Sequence, residues 1–237
     1  MSALSERAAA TVRHPLSRAL LALTFTTGLV DAASYLGLGH VFTANMTGNV
    51  VLLGFGIAGG SGLPVLAPLV SLAAFVAGSR AGGVLASKLG HRHPRHIGSA
   101  LAIEAGLIAI ATLLAIVFTI HAGTVRAGIV IALLAFAMGV RNATVRRIGV
   151  PDLTTTVLTM TLTGLAADGL SGKARAGAAR RVAAVVAMLT GAVAGALLLK
   201  SSLALPLVAA AGLAAATWLV YVPAARREAH STADAGG

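Results

Sequence analysis

Eight apolar segments lie end to end in this chain, at about 18–38, 41–59, 63–87, 98–121, 126–145, 152–168, 180–200 and 203–222. A bilayer's hydrocarbon core is about 30 Å thick, and a helix rising about 1.5 Å per residue crosses it in about 20 residues. Most of the segments meet that length. Only 11% of the 237 residues are charged, against roughly a quarter in a soluble domain, so the chain lacks the polar surface to cover a globule in water. The sequence predicts one all-α membrane domain over 17–223, between a polar N-terminal tail (1–16) and a disordered polar tail (224–237). The first apolar run reads as an uncleaved membrane helix rather than a signal peptide, because Asp31 lies within it and many apolar runs follow.

Two segments depart from the spanning pattern. The sixth is bracketed by Asp152 and Asp168, carries Thr154, Thr155, Thr156, Thr159, Thr161 and Thr163, and reaches only about 24 Å as a helix. The second is interrupted by Asn45, Thr47, Gly48 and Asn49. These two segments are also counterparts in an internal repeat. Gly28-Leu29-Val30-Asp31-Ala32 matches Gly139-Val140-Arg141-Asn142-Ala143, and Phe42-Thr43 matches Leu153-Thr154. Met46-Thr47 matches Leu158-Thr159, and Gly78-Ser79-Arg80-Ala81-Gly82 matches Gly191-Ala192-Val193-Ala194-Gly195. Matches in one order at a shift of roughly 112 residues point to a duplication, with repeats over about 17–121 and 125–222.

Charge orients the repeats. The net charge is +11, but the basic residues sit in gaps between apolar runs, which marks cytoplasmic loops rather than a nucleic-acid surface. If all eight segments spanned, the basic stretch 88–96 would lie opposite the basic N-terminus. If the second and sixth segments enter and leave by one face, the N-terminus, 88–96, Arg146, Arg147, 173–181, Arg226 and Arg227 share a side. The expectation is therefore six spanning helices plus two short re-entrant or broken segments. Both termini are cytoplasmic, and an odd number of spans per repeat inverts one repeat relative to the other.

Ionisable groups inside a membrane are costly and usually functional. Asp31 and Arg141 fall at near-equivalent places, so they are expected to pair, or to share a polar cavity with Asn142, near the midplane. A static pair that fixes helix register is the competing structural reading. The Thr43-Ala44-Asn45-Met46-Thr47-Gly48-Asn49 run suits a helix broken inside the membrane, with amides and hydroxyls satisfying the freed backbone. Packing through small polar residues is the alternative. The candidate substrate-binding set is Asp31, Asn45, Thr47, Asn49, Arg141, Asn142, Thr155 and Thr159. Gly78-x-x-x-Gly82 and Gly191-x-x-x-Gly195 read as helix contacts, with Arg80 reaching toward the cytoplasmic side. Glu104, near the start of its segment, is expected to reach back to the basic loop. His91, His93 and His96 suit lipid head groups better than a metal. The chain has no cysteine and no catalytic or phosphate-binding motif, so neither an enzyme nor a bound cofactor is expected.

The stretch from Gly28 to Leu36, continued by Val41-Phe42-Thr43-Ala44-Asn45-Met46-Thr47-Gly48-Asn49-Val50-Val51-Leu52-Leu53-Gly54, resembles the YoaK family of multi-pass bacterial membrane proteins, a domain of unknown function. Arg141-Asn142-Ala143 and 154–159 resemble its second motif, and the likeness runs from about 17 to 222. Met160 departs from the small residue expected there. The resemblance implies a bacterial inner-membrane protein and no particular activity. The reading drawn from repeat symmetry, broken segments and buried charge is a small transporter or channel for a small polar solute or ion. The alternative is a non-transporting scaffold or assembly protein, with an intramembrane enzyme as a third option. A transporter should have a water-accessible cavity reaching Asp31 and Asn45, whereas a scaffold should keep them mutually satisfied and dry. The partners expected are the bilayer, such a solute, and no nucleic acid. A homo-oligomer stays open, because the 206–222 helix with Trp218 and Tyr221 suits either an interfacial anchor or a dimer face.

Overall fold

The computed structural model describes residues 15–60, 62–89, 93–148, 162–163, 166 and 172–234, with the side chains of 15–16, 93–95, 148, 172–177 and 224–234 left aside. Among these, seven helices follow in order: α1 (Pro15–Gly37), α2 (Met46–Ile57), α3 (Leu66–Leu89), α4 (His93–Val117), α5 (Val125–Ile148), α6 (Gly172–Leu199) and α7 (Ala204–Asp234). All but α2 are long and apolar enough to cross a membrane. At 12 residues, α2 is about 18 Å long and falls short of the hydrocarbon thickness. The interrupted second segment is thus a half-length helix behind a non-helical stretch. Most of the Thr-rich sixth segment, including Thr155 and Thr159, lies outside the described residues. The polar tail expected from 224 instead continues α7 to Asp234, as suits the helix formers in Ala224-Ala225-Arg226-Arg227-Glu228-Ala229.

The helices pack in reciprocal pairs. α1 lies against α6 and α7, α5 lies against α3 and α4, and α4 meets α7. Exchanging α1 with α5, α3 with α6 and α4 with α7 maps this set of contacts onto itself. The register repeats as well. The backbone at Phe25 and Leu29 faces Gly191 and Gly195 on α6, and the backbone at Phe136 and Val140 faces Gly78 and Gly82 on α3. Both contacts advance by four residues on each helix, so both pairs run parallel.

Glycine makes these crossings close. A Cβ at Gly28 would stand 2.5 Å from the Met188 carbonyl oxygen, and one at Gly191 would overlap the Phe25 carbonyl outright. Lipid tails are as apolar as the interior, so burial adds little association energy in a bilayer. Close backbone approach and dispersion contacts supply it instead. The centre of the bundle is a continuous apolar cluster from α1, α4, α5 and α7, including Leu29, Ile108, Ile131, Leu134, Met138 and Leu207. Outside it, α3 and α6 are the least enclosed spans. Val186, Leu189 and Val193 point outward from α6, as a lipid-facing surface requires.

Candidate functional site: a buried ionic centre

Leu23, Thr27 and Asp31 recur every four residues on one face of α1, so they stack along the helix. That face turns inward, and α1 and α5 are the most enclosed spans of the bundle. Arg141 of α5 meets it with 2% of its side chain exposed. Its Nη1 donates to Glu104 Oε1 at 2.9 Å and to the Leu23 carbonyl at 3.0 Å. Its Nη2 donates to the Thr27 hydroxyl and approaches Met138 Sδ at 2.8 Å. Thr27 in turn donates to the Leu23 carbonyl at 2.9 Å, closing a small ring of polar groups around the guanidinium.

Asp31 sits one turn further along α1, in electrostatic reach of Arg141, but the two do not pair. The pairing expected from sequence is corrected here: Arg141 takes Glu104, and Asp31 caps a break in the chain. Asp31 Oδ1 accepts from the backbone N–H of Ala44 at 2.9 Å and of Thr43 at 3.0 Å, and from the Thr43 hydroxyl at 3.4 Å. Those amides belong to the stretch between α1 and α2, where no helix supplies partners. An unsatisfied amide at this depth costs several kcal/mol, so a carboxylate accepting two of them fixes the path of the chain.

Asn49 performs the same service from the other side. Its amide oxygen accepts from Phe42 N–H at 2.9 Å, while its Nδ2 donates to the Phe42 carbonyl at 2.7 Å and to Ser71 Oγ at 3.1 Å. Ser71 also donates to that carbonyl, at 2.7 Å. Asn45 is the N-cap of α2, accepting from Gly48 N–H at 3.2 Å. It is exposed, as is Thr47. Asn142 is half-buried and donates to the Met138 carbonyl at 2.8 Å. Of the candidate set, the fold therefore gathers Asp31, Asn49 and Arg141 into the interior. It leaves Asn45 and Thr47 at the mouth of α2, and Thr155 and Thr159 outside the described residues.

Glu104 is the residue that sequence reasoning misplaced. Counted from the apolar edge at 98 it looks shallow. The helix starts at His93, which puts Glu104 about 16 Å along α4 and beyond reach of the basic loop. It is fully buried. Three atoms of the centre have no hydrogen-bond partner among the described residues: Asp31 Oδ2, Glu104 Oε2 and Arg141 Nε.

One space borders this centre and another lies apart from it. A void of about 20 Å³ lies beside the ion pair, walled mostly by carbon from Leu20, Leu23, Ile97, Leu101 and Tyr221. A larger groove of about 630 Å³ opens where α1 ends and α3 and α5 begin, reaching Leu38 and His40. Neither Asp31 nor Asn45 lines it. Among the described residues no three His, Asp or Glu side chains converge as metal ligands.

Six membrane-length helices, a half-length seventh and an ionic centre sealed among them define a polytopic membrane protein. Residues 19–220 match the family described as protein of unknown function (DUF1275), and the chain belongs to that family. Over 94 residues it is 39% identical to the UPF0700 transmembrane protein YoaK of Bacillus subtilis (strain 168), a match covering 39% of this chain and 42% of that relative. The chain thus matches under half the length of that curated relative. No solved structure matches.

Proposed function

We propose that the protein is a small transporter for a small polar solute or ion, held here in an occluded state, with Asp31, Glu104 and Arg141 as its central site. The observation that carries this reading is the incomplete satisfaction of three fully buried ionisable groups. A purely structural polar network in an apolar interior is expected to be closed, since each unmade bond is costly there. Intramembrane carboxylates and arginines instead mark solute and proton pathways. Reciprocal helix pairs with matching glycine register support two inverted halves meeting at this centre, the arrangement in which alternating-access sites lie. Lys88, Arg146, Arg147, Arg180 and Arg181 at one end of the bundle support a cytoplasmic face there, with both termini inside and a bacterial inner membrane as host.

A second reading, a non-transporting scaffold, is favoured by the 42–49 stretch, whose buried polar groups are taken up by one another. Asp31→Asn separates the two. The amide oxygen still accepts from Thr43 and Ala44, so the break stays capped, while the ionisable group is gone. Proteoliposomes holding a pH-sensitive dye are challenged with a panel of small amino acids, sugars and inorganic ions. Uptake of at least one by wild type with accompanying proton movement, and loss of that movement in a monodisperse Asp31→Asn variant, is the expected result. No uptake by wild type of any member leaves the scaffold.

A further inference from the structure

The start of α2 is polar and exposed at a depth where the surroundings are acyl chains. Two hydrogen bonds fix that depth. Ala44 N–H donates to Asp31 Oδ1, about 9 Å inside the Gly37 end of α1, and Asn49 Nδ2 donates to Ser71 Oγ, about 8 Å inside the Leu66 end of α3. The membrane-length spans are Ser17–Gly37 and Leu66–Leu89, so both rulers place the start of α2 within the hydrocarbon. Asn45 and Thr47, which open the helix, are exposed there. Among the described residues, Asn45 Oδ1 accepts from Gly48 N–H, while Asn45 Nδ2 and the Thr47 hydroxyl make no hydrogen bond.

Threonines elsewhere in the bundle show what these two residues lack. Thr24, Thr27, Thr112 and Thr217 each donate to the carbonyl four residues back. So does Thr190, exposed on α6, at 2.6 Å; a lipid-facing hydroxyl is thereby closed on its own helix. Thr47 is the second residue of α2, so no helical turn precedes it to offer that carbonyl. An unmade hydrogen bond facing acyl chains is costly. From Thr47 the exposed face continues through Val50, Val51, Gly54 and Phe55, at steps of three and four residues. A Cβ at Gly54 would meet nothing within 4 Å, and no residue from 41 to 59 is charged. The surface that fits this face is apolar and uncharged, with one acceptor and one donor at the depth of Asn45 and Thr47. A second copy of the same face supplies all of this, because an amide and a hydroxyl each donate and accept.

We propose that two copies of the chain pair in the bilayer through this face of α2, about a two-fold axis along the membrane normal, with Asn45 Nδ2 of each copy donating to the partner's Thr47 hydroxyl. The two-fold sets both bonds at one depth, and hydrogen bonds with close packing are what drive helix association in lipid. The inference stands apart from any transport activity. The chain has no cysteine, so single-cysteine variants report on it directly. In native membranes with copper phenanthroline, Val51→Cys and Gly54→Cys should cross-link into dimers much faster than Val186→Cys, Leu189→Cys or Val193→Cys on α6. Full chains carrying one fluorophore on an added C-terminal cysteine, photobleached singly in phosphatidylcholine vesicles over a range of lipid-to-protein ratios, give the dimer constant. Thr47→Val should weaken it roughly three- to tenfold, the range for one or two interhelical hydrogen bonds. Asn45→Asp keeps an N-cap but loses the donor and sets two carboxylates close across the axis, and should weaken it further. Thr190→Val should leave it unchanged. Wild type that bleaches in single steps at every ratio overturns the proposal, as do equal cross-linking on α2 and α6 or a dimer constant that neither Thr47→Val nor Asn45→Asp moves. Rapid reaction of Thr47→Cys with a membrane-impermeant maleimide places the face in water and also overturns it.

Discussion

The break between α1 and α2 and the ionic centre one turn below it use similar residues to opposite ends. At the break, Asp31 Oδ1, Asn49 and Ser71 take up the freed backbone, Asn49 and Ser71 also bonding each other, while the exposed Asn45 caps α2. At the centre, Glu104 and Arg141 share one good ion pair, and each keeps an unpartnered atom. Asp31 belongs to both, with one oxygen committed to the break and the other free. The most distinctive motif in the sequence is therefore a structural joint. The incompletely paired ionisable residues come instead from three different helices.

That contrast can be broken by mutation. The largest effect is expected at Arg141. Arg141→Met strands the Glu104 carboxylate in an apolar interior, and losing one member of a buried pair costs about 3–5 kcal/mol. Thermal unfolding in detergent should show a large drop, and the double variant Glu104→Gln with Arg141→Met should recover much of it. Asp31→Ala comes next. It leaves the Thr43 and Ala44 amides without acceptors, about 2–6 kcal/mol at 1–3 per orphaned group, whereas Asp31→Asn should stay near wild type in the same assay. An Asp31→Asn protein as unstable as Asp31→Ala would mean that the charge, not the capping oxygen, holds the break.

Packing should matter less than either. Gly191→Ala drives a Cβ into the Phe25 carbonyl on α1, an overpacking of about 1–3 kcal/mol. Gly106→Ala in α4 meets nothing within 4 Å and should shift stability by no more than about 0.5 kcal/mol. Equal effects from the two would remove the case for close α1–α6 contact. A modest effect, about 1 kcal/mol as for a typical N-cap, is expected from Asn45→Ala at the exposed start of α2. A loss as large as that of Asp31→Ala would place Asn45 in the interior network.

Much of this was legible in the sequence. Segment lengths together with the basic loops gave the six spans, and the polar Thr43–Asn49 run pointed to a break in the second segment, which falls just before Met46 and leaves Gly48 inside α2. Gly78, Gly82, Gly191 and Gly195 gave the close crossings, because only a missing Cβ permits them. The partner of Arg141 was not legible. A near-equivalent position in a repeat suggested Asp31, but partner choice depends on how α4 is rotated and on where it starts. His93-Pro94-Arg95 extends that helix below its apolar edge and carries Glu104 to the depth of Arg141. The role of Asn49 as a clamp on Phe42 was equally hidden, because it requires the chain to double back between α1 and α2.

The assignment of Arg141 to Glu104 rather than Asp31 is tested most directly by two double-mutant cycles in one unfolding assay. Glu104→Gln with Arg141→Gln is compared with Asp31→Asn with Arg141→Gln. Coupling is expected within the range of about 0.5–3 kcal/mol seen for residues in contact, near its top for the first pair and near its bottom for the second. A coupling that is larger for the Asp31 pair, or absent from both, would contradict the centre described here.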